Sequence, residues 1–211
     1  MNIEGLDITR NTHSSIKIIT QSKRTIYIDP FQIQEGEKAD YIFITHEHYD
    51  HCSIADIRKI MKQETVIITV PDCQSKLAGM PVKGIQLVKP GDKFSTPHFE
   101  VIVVPAYNLN KHFHAKEHQW VGFILRIDGK TIYHAGDSDV IPEMKSLVNL
   151  NVIFVPVSGH FTMNAKEAAH LINFLKPKFA IPIHYGAGVV GTLHDAEEFK
   201  SLVKDVNVII L

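Results

Sequence analysis

Residues 41–53 read YIFITHEHYDHCS. The run from Tyr41 to Ile44 is short and apolar, the pattern of a buried strand. The next segment, SIADIRKIMK, reads as a helix. Ser53 caps it, Asp56 sits in its first turn, and Ile54, Ile57, Ile60 and Met61 share one face. His46, His48, Asp50 and His51 therefore fall in a strand-to-helix loop, where a rigid scaffold presents functional side chains. Either this is a metal site or a polar turn rich in histidine. An HExxH site is excluded, because Asp50 stands where the second histidine is required.

The same arrangement recurs further along. SIKIIT and TIYIDP read as a hairpin around QSKR. TVIITVP, FEVIVVPAYN, WVGFILRID and TIYHAGD read as strands, the last two joined through IDGKT with glycine at the turn. VIFVPVSG is another buried strand. NAKEAAHLINFLKP is a helix with a capping box of Asn164 and Glu167, FAIPIHYG a strand ending in His184, DAEEFKSLV a helix capped by Asp195 with Glu198, and VNVIIL a last strand. Asp137 follows TIYHAG as His184 follows FAIPI. Imidazoles and carboxylates at several strand ends form a set larger than one zinc needs, so a two-metal site is the economical reading. The fold class is mixed α and β, with sheets covered by helices.

The bulk composition agrees. The chain has 211 residues, enough for one domain spanning 1–211, with 45% hydrophobic and 21% charged residues and a formal charge of −1. That balance gives no footprint for nucleic acid, and no apolar run spans a bilayer or forms a signal segment. Cys52 and Cys73 have no disulfide or zinc spacing, which suits a reduced, cytoplasmic protein. Cys52, directly after His51, reads as a small buried thiol first and as lining of the site second. The outlying number is 13 histidines, the commonest protein metal ligand.

THEHYDH resembles the HxHxDH signature of the metallo-β-lactamase superfamily of metal-dependent hydrolases. THSSIKI and YIDPF resemble the opening hairpin of its L-ascorbate-6-phosphate lactonase-like branch, HAGDSD its aspartate loop, and IPIHYG its final histidine strand. The resemblance implies an αββα sandwich and two metals, zinc first, with manganese or ferrous iron as other occupants. It implies that His46 and His48 bind the first metal with a third ligand, that Asp50, His51 and His184 bind the second, and that Asp137 bridges them. Asp29 matches an aspartate that orients a ligand histidine. The third ligand is usually a histidine after the middle strand, and in related phospholipases it follows a Pro-Ala pair, where this chain has Asn108. His112, His114 and His118 follow, and His114 is the one expected to turn inward.

The implied activity is hydrolysis of an ester, lactone, amide or phosphodiester in a small-molecule substrate. The nucleophile would be a metal-bound hydroxide, with Asp50 accepting or orienting its proton. Two rivals are a metal-binding protein or sensor without turnover and a di-iron redox protein of the same fold. The chain has no room for the flavin domain that the latter uses. The residues assign no oligomeric state. Among the remaining histidines, His98, His118, His170 and His194 read as surface residues. His13 reads as pocket lining or as structural, His134 as structural or supporting, and His160 as a pocket wall or an ordinary loop residue. Tyr107, Asn108 and Tyr185 flank metal positions, for substrate contact or for packing.

Overall fold

Strand follows strand in chain order, so neighbours in sequence are neighbours in each sheet. The computed structural model describes Met1–Leu211, which forms two compact units, Met1–Val88 and Lys89–Leu211.

In the first unit the elements are β1 (Asn2–Ile3), β2 (Leu6–Thr12), β3 (Ser15–Ile19), β4 (Thr25–Ile28), β5 (Tyr41–Ile44), α1 (Ile54–Ile60), β6 (Val66–Thr69), α2 (Gln74–Leu77) and β7 (Gly84–Leu87). Its seven strands lie in the order β1 to β7. Those from β1 to β4 pair antiparallel, and those from β4 to β7 parallel. β4 and β5 are buried along their whole length, which is why TIYI and YIFI do not alternate. β2 buries Leu6 and Ile8 and exposes Asp7 and Thr9, the alternation of a half-buried strand.

Ser53 caps α1 as its sequence predicts. Asp56 does more than favour the helix dipole. Its buried carboxylate accepts the backbone N–H groups of Gln32 (2.8 Å) and Ile33 (3.0 Å), the Ser53 hydroxyl (2.7 Å) and the Lys59 ammonium (2.8 Å), pinning the segment after β4 to α1. Burial pushes this carboxyl up, but the bonds from Lys59, Ser53 and Gln32 outweigh it and hold it below the usual carboxylate range. Asp56→Ala orphans the buried Ile33 N–H and the part-buried Gln32 N–H and should cost about 2–4 kcal/mol. In thermal unfolding at neutral pH that is a fall of about 5–15 °C in Tm. The folded carboxyl titrates below its unfolded value near 3.9. Its contribution is thus full above that pH and is lost as pH falls through the folded pKa. The gap between wild type and variant should therefore close in acid. A gap that stayed constant down to the acid transition would contradict this.

The second unit repeats the plan with β8 (Lys93–Ser95), β9 (Glu100–Pro105), β10 (Val121–Ile127), β11 (Lys130–His134), β12 (Val152–Pro156), α3 (Ala165–Leu175), β13 (Phe179–Ile183), α4 (Leu193–Leu202) and β14 (Asn207–Val208). The strands run in the order β8 to β14, antiparallel from β8 to β11 and parallel beyond. Asp128 and Gly129, both at positive φ, make the two-residue turn between β10 and β11. α3 lays Ala168, Leu171 and Ile172 into a core with Ile153, Val155 and Phe199. Its capping box is complete, with Glu167 N–H on Asn164 Oδ1 at 2.9 Å and Asn164 N–H on Glu167 Oε2 at 2.8 Å.

The last helix corrects the sequence reading. Its cap is Thr192, whose N–H and hydroxyl both donate to Asp195. Asp195 is the N3 partner rather than the cap, and His194 lies inside the helix. VNVIIL contributes only Asn207 and Val208 to the sheet. His98 is exposed as expected but precedes β9 instead of lying on it. No helix is long and apolar enough to cross a membrane.

Candidate metal centre

In the first unit the candidate residues stand where strands end. Asp29, directly after β4, is fully buried and has φ +48°, the left-handed turn that swings its side chain off the strand line. Its Oδ1 accepts Thr45 N–H at 2.8 Å. Its Oδ2 accepts the Thr45 hydroxyl at 2.8 Å and lies 2.8 Å from His51 Nδ1. A carboxylate only accepts, so His51 carries its proton on Nδ1 and the lone pair on Nε2. The Thr45 hydroxyl gives its proton to Asp29, so at 3.0 Å it accepts from His46 Nδ1. His46 is thus also the Nδ1–H tautomer, with its Nε2 lone pair 3.0 Å from His48 Nδ1. Two zinc–nitrogen bonds of about 2.0–2.1 Å at a tetrahedral angle hold nitrogens about 3.3 Å apart, close to that separation. His13, in the turn between β2 and β3, places Nε2 3.1 Å from Asp50 Oδ2. Ligand atoms of His13, Asp50 and His51 lie within 4.8 Å of one another.

The second unit gathers three more donors. Asp137 follows β11. Its Oδ2 lies 2.9 Å from His184 Nε2 and 3.3 Å from His114 Nε2. His184 directly follows β13 at φ +64°, with Nδ1 2.8 Å from the Ser158 hydroxyl. His114 is buried. Its Nδ1 lies 3.1 Å from both Asn108 Oδ1 and the Phe161 carbonyl, two acceptors. Nδ1 therefore holds the proton, and the Nε2 lone pair faces the Asp137 carboxylate. That contact needs positive charge between the two atoms, either a second proton or a metal ion. Both clusters offer imidazoles and carboxylates, all buried but His48, a set suited to zinc or another first-row divalent ion.

The other candidates are placed as follows. Asn108 occupies itself with His114, accepting its backbone N–H at 3.2 Å while donating to Phe161 O at 2.9 Å. His112 and His118 are exposed, and His118 stacks on Trp120 with centroids 4.6 Å apart. The Tyr107 hydroxyl donates to Glu143 at 2.9 Å and lies 3.3 Å from Lys116 Nζ. Tyr185 packs in the core. His134 is buried and accepts Gly136 N–H at 3.2 Å. His160 is exposed and stands against Phe161, 4.4 Å between centroids. His170 is exposed on α3. Cys52 and Cys73 are buried free thiols.

Sequence reasoning missed Thr45, Ser158 and the Phe161 carbonyl, each of which fixes a ring. It also passed over Gly122. A Cβ there would come 2.6 Å from His134 O and 2.8 Å from Ala135 O, so glycine alone lets the chain run from β11 into the Asp137 loop. An isolated glycine in the strand WVGFILRID was the available signal.

The chain is similar to known proteins along most of its length. Residues 7–184 match the β-lactamase superfamily domain. A UPF0173 metal-dependent hydrolase from Pyrococcus abyssi is 33% identical over 88% of this chain and 87% of its own length. One from Thermococcus onnurineus is 34% identical over 94% and 93%. A crystal structure from Parabacteroides distasonis superposes with a TM-score of 0.84 at 33% identity, covering 97% of this chain and 92% of that one. Igni18, a metallo hydrolase from Ignicoccus hospitalis, shares the fold at a TM-score of 0.79 and 24% identity, over 98% and 94% of the two chains. The chain belongs to the UPF0173 metal-dependent hydrolases of the β-lactamase superfamily.

Proposed function

We propose that the two clusters serve one hydrolytic metal centre in a single domain spanning 1–211, a reading supported by a family match that runs across both units. His46, His48 and His114 would hold one ion and Asp50, His51 and His184 the other, with Asp137 as the carboxylate that both would share. The ions are zinc, with manganese or ferrous iron as substitutes. The observation that carries the reading is the protonation pattern. Asp29 and Thr45 hold His46 and His51 with Nδ1 protonated, and Asn108 and Phe161 do so for His114. In every case Nε2 keeps the lone pair that ligation requires.

When bound, the metal supplies Lewis acidity and lowers the pKa of coordinated water to about 7. The side chains do the rest. Asp50 Oδ2, backed by His13 Nε2 at 3.1 Å, takes up the proton of the attacking water. Asp137 offsets the cationic charge, and Ser158 holds the His184 ring. The reaction is hydrolysis of an ester, lactone, amide or phosphodiester in a small molecule. The lactonase-like branch and a cytoplasmic setting are the finer assignments, supported by the THSSIKI and YIDPF segments and by the two buried free thiols.

Elemental analysis of protein purified without chelator, paired with a panel of ester, lactone and phosphodiester substrates, tests this. About two ions per chain are expected from the ligand count, falling in His46→Ala and His51→Ala. Less than about a tenth of an ion after zinc reconstitution would refute a set of this many ligands. Metal without turnover on any substrate would instead favour the sensor reading.

A further inference from the structure

Exposed apolar side chains neighbour the proposed ligands in the chain. Of the exposed aromatic side chains, Tyr49 (65%), Phe174 (61%) and Phe113 (46%), two stand directly beside proposed ligands. Phe113 precedes His114. The Asn108 N–H on His114 O, at 2.7 Å, closes 108–114 into a tight loop. That closure turns His114 inward and leaves Leu109 (53%) and Phe113 outward. The Phe113 ring meets Phe161 edge to face, 4.6 Å between centroids and 85° between planes, and lies 5.7 Å from His160. The Phe161 carbonyl is the one that holds His114 Nδ1. The aromatic cluster is thus tied to the ligand through the Phe161 carbonyl and through Phe113, the residue before His114. In the other unit, Tyr49 lies between His48 and Asp50 and stands edge to face on Phe31 at 5.9 Å.

Single exposed apolar residues are ordinary, whereas a cluster marks a binding surface. This one is held in place. Lys111 bonds Asp139, which also accepts Leu109 N–H at 2.9 Å, fixing the loop that carries Phe113. Lys111 in this loop is paired with Asp139, and Lys76 of α2 is paired at 2.9 Å with Glu47 in the loop that carries His46 and His48, so the charge of both lysines is already balanced. A preorganised apolar surface beside balanced cations suits an uncharged ring better than a polyanion.

We infer that Leu109, Phe113 and Phe161, with His160 at the edge, form a subsite for an apolar, ring-sized group of the substrate. The substrate class is then an aryl or alicyclic ester, lactone or amide, rather than a sugar phosphate or nucleotide. This rests on the metal-centre reading, with the scissile group at the ions and the ring on the aromatic cluster.

The test is calorimetric titration of zinc-reconstituted protein with benzylphosphonate and methylphosphonate, with zinc content measured on the same samples. The two probes share the metal-binding group and differ in the ring. Wild type should bind the benzyl compound about 10-fold more tightly. In Phe113→Ser that advantage should shrink to about twofold while methylphosphonate affinity is unchanged. Leu109→Ser, a change at an exposed side chain, should shift it in the same direction. Equal affinities in wild type, or an advantage untouched by both variants, would overturn the subsite and leave the metal centre standing. Zinc-loaded protein that binds neither phosphonate would overturn it too. Protein that holds no zinc would overturn the metal reading and the subsite with it.

Discussion

Asp137→Ala is expected to cut kcat/KM by about 1,000-fold or more on whichever substrate the parent hydrolyses, and to lower metal content. Bound metal supplies several kcal/mol of transition-state stabilisation, and each 1.4 kcal/mol is tenfold in rate. Asp137 Oδ2 is the atom on which His114 and His184 converge, at 3.3 and 2.9 Å. Alanine leaves two neutral imidazoles with no anion between them, so a divalent ion would lose both a ligand and its charge balance. Asp137→Asn separates these losses. It keeps the shape and one oxygen but no charge, and should fall between alanine and wild type in metal content. Steady-state kinetics with metal analysis on the same preparations checks both variants. Wild-type turnover in Asp137→Ala would remove Asp137 from the centre.

Much of this site was readable before the structure because its residues follow buried parallel strands, and such strands are uninterrupted apolar runs. TIYI, YIFI and FAIPI announce themselves, and Asp29, His46 and His184 come next or nearly next in the chain. Among the missed strands, β7 and β8 are half-exposed or exposed along their length and sit at sheet edges, so no apolar pattern marks them, whereas β2 was passed over although Leu6 and Ile8 alternate with Asp7 and Thr9. The cap of α4 was misread because Thr192/Asp195 and Asp195/Glu198 offer the same three-residue spacing, and only the backbone chooses between them. The role of Asn108 was hidden for a different reason. Its amide oxygen meets His114 directly while its NH2 binds the carbonyl of Phe161, 53 residues away, and no local pattern contains that second relation. Thr45 was hidden by its plainness, since a threonine closing an apolar strand carries no signal of a proton held between a carboxylate and an imidazole.

That held proton makes Asp29 the residue whose smallest change should have the largest consequence for metal binding. Consider Asp29→Asn. Thr45 N–H needs an acceptor, so the new amide keeps its oxygen at the Oδ1 position and puts its NH2 where Oδ2 was. The NH2 now faces His51 Nδ1, which becomes an acceptor, and the ring proton moves to Nε2. The Thr45 hydroxyl, no longer able to donate to Asp29, accepts from the NH2 and turns its proton toward His46 Nδ1. That ring changes tautomer as well. Two ligand nitrogens then carry protons where they must carry lone pairs, although almost no atom has moved. Losing an outer partner of a ligand histidine costs about 10–100-fold in metal affinity, and here one substitution disturbs two ligands. Competition with a chelator should show a loss toward the upper end of that range. Nitrogen NMR of the metal-free protein should show the His46 and His51 protons moving from Nδ1 to Nε2. Asp29→Ala should behave differently. It leaves three buried donors without their acceptor and should cost about 3–5 kcal/mol of stability. If Asp29→Asn binds zinc like wild type with both rings still protonated at Nδ1, then Asp29 fixes only the turn after β4, and something else sets the tautomers.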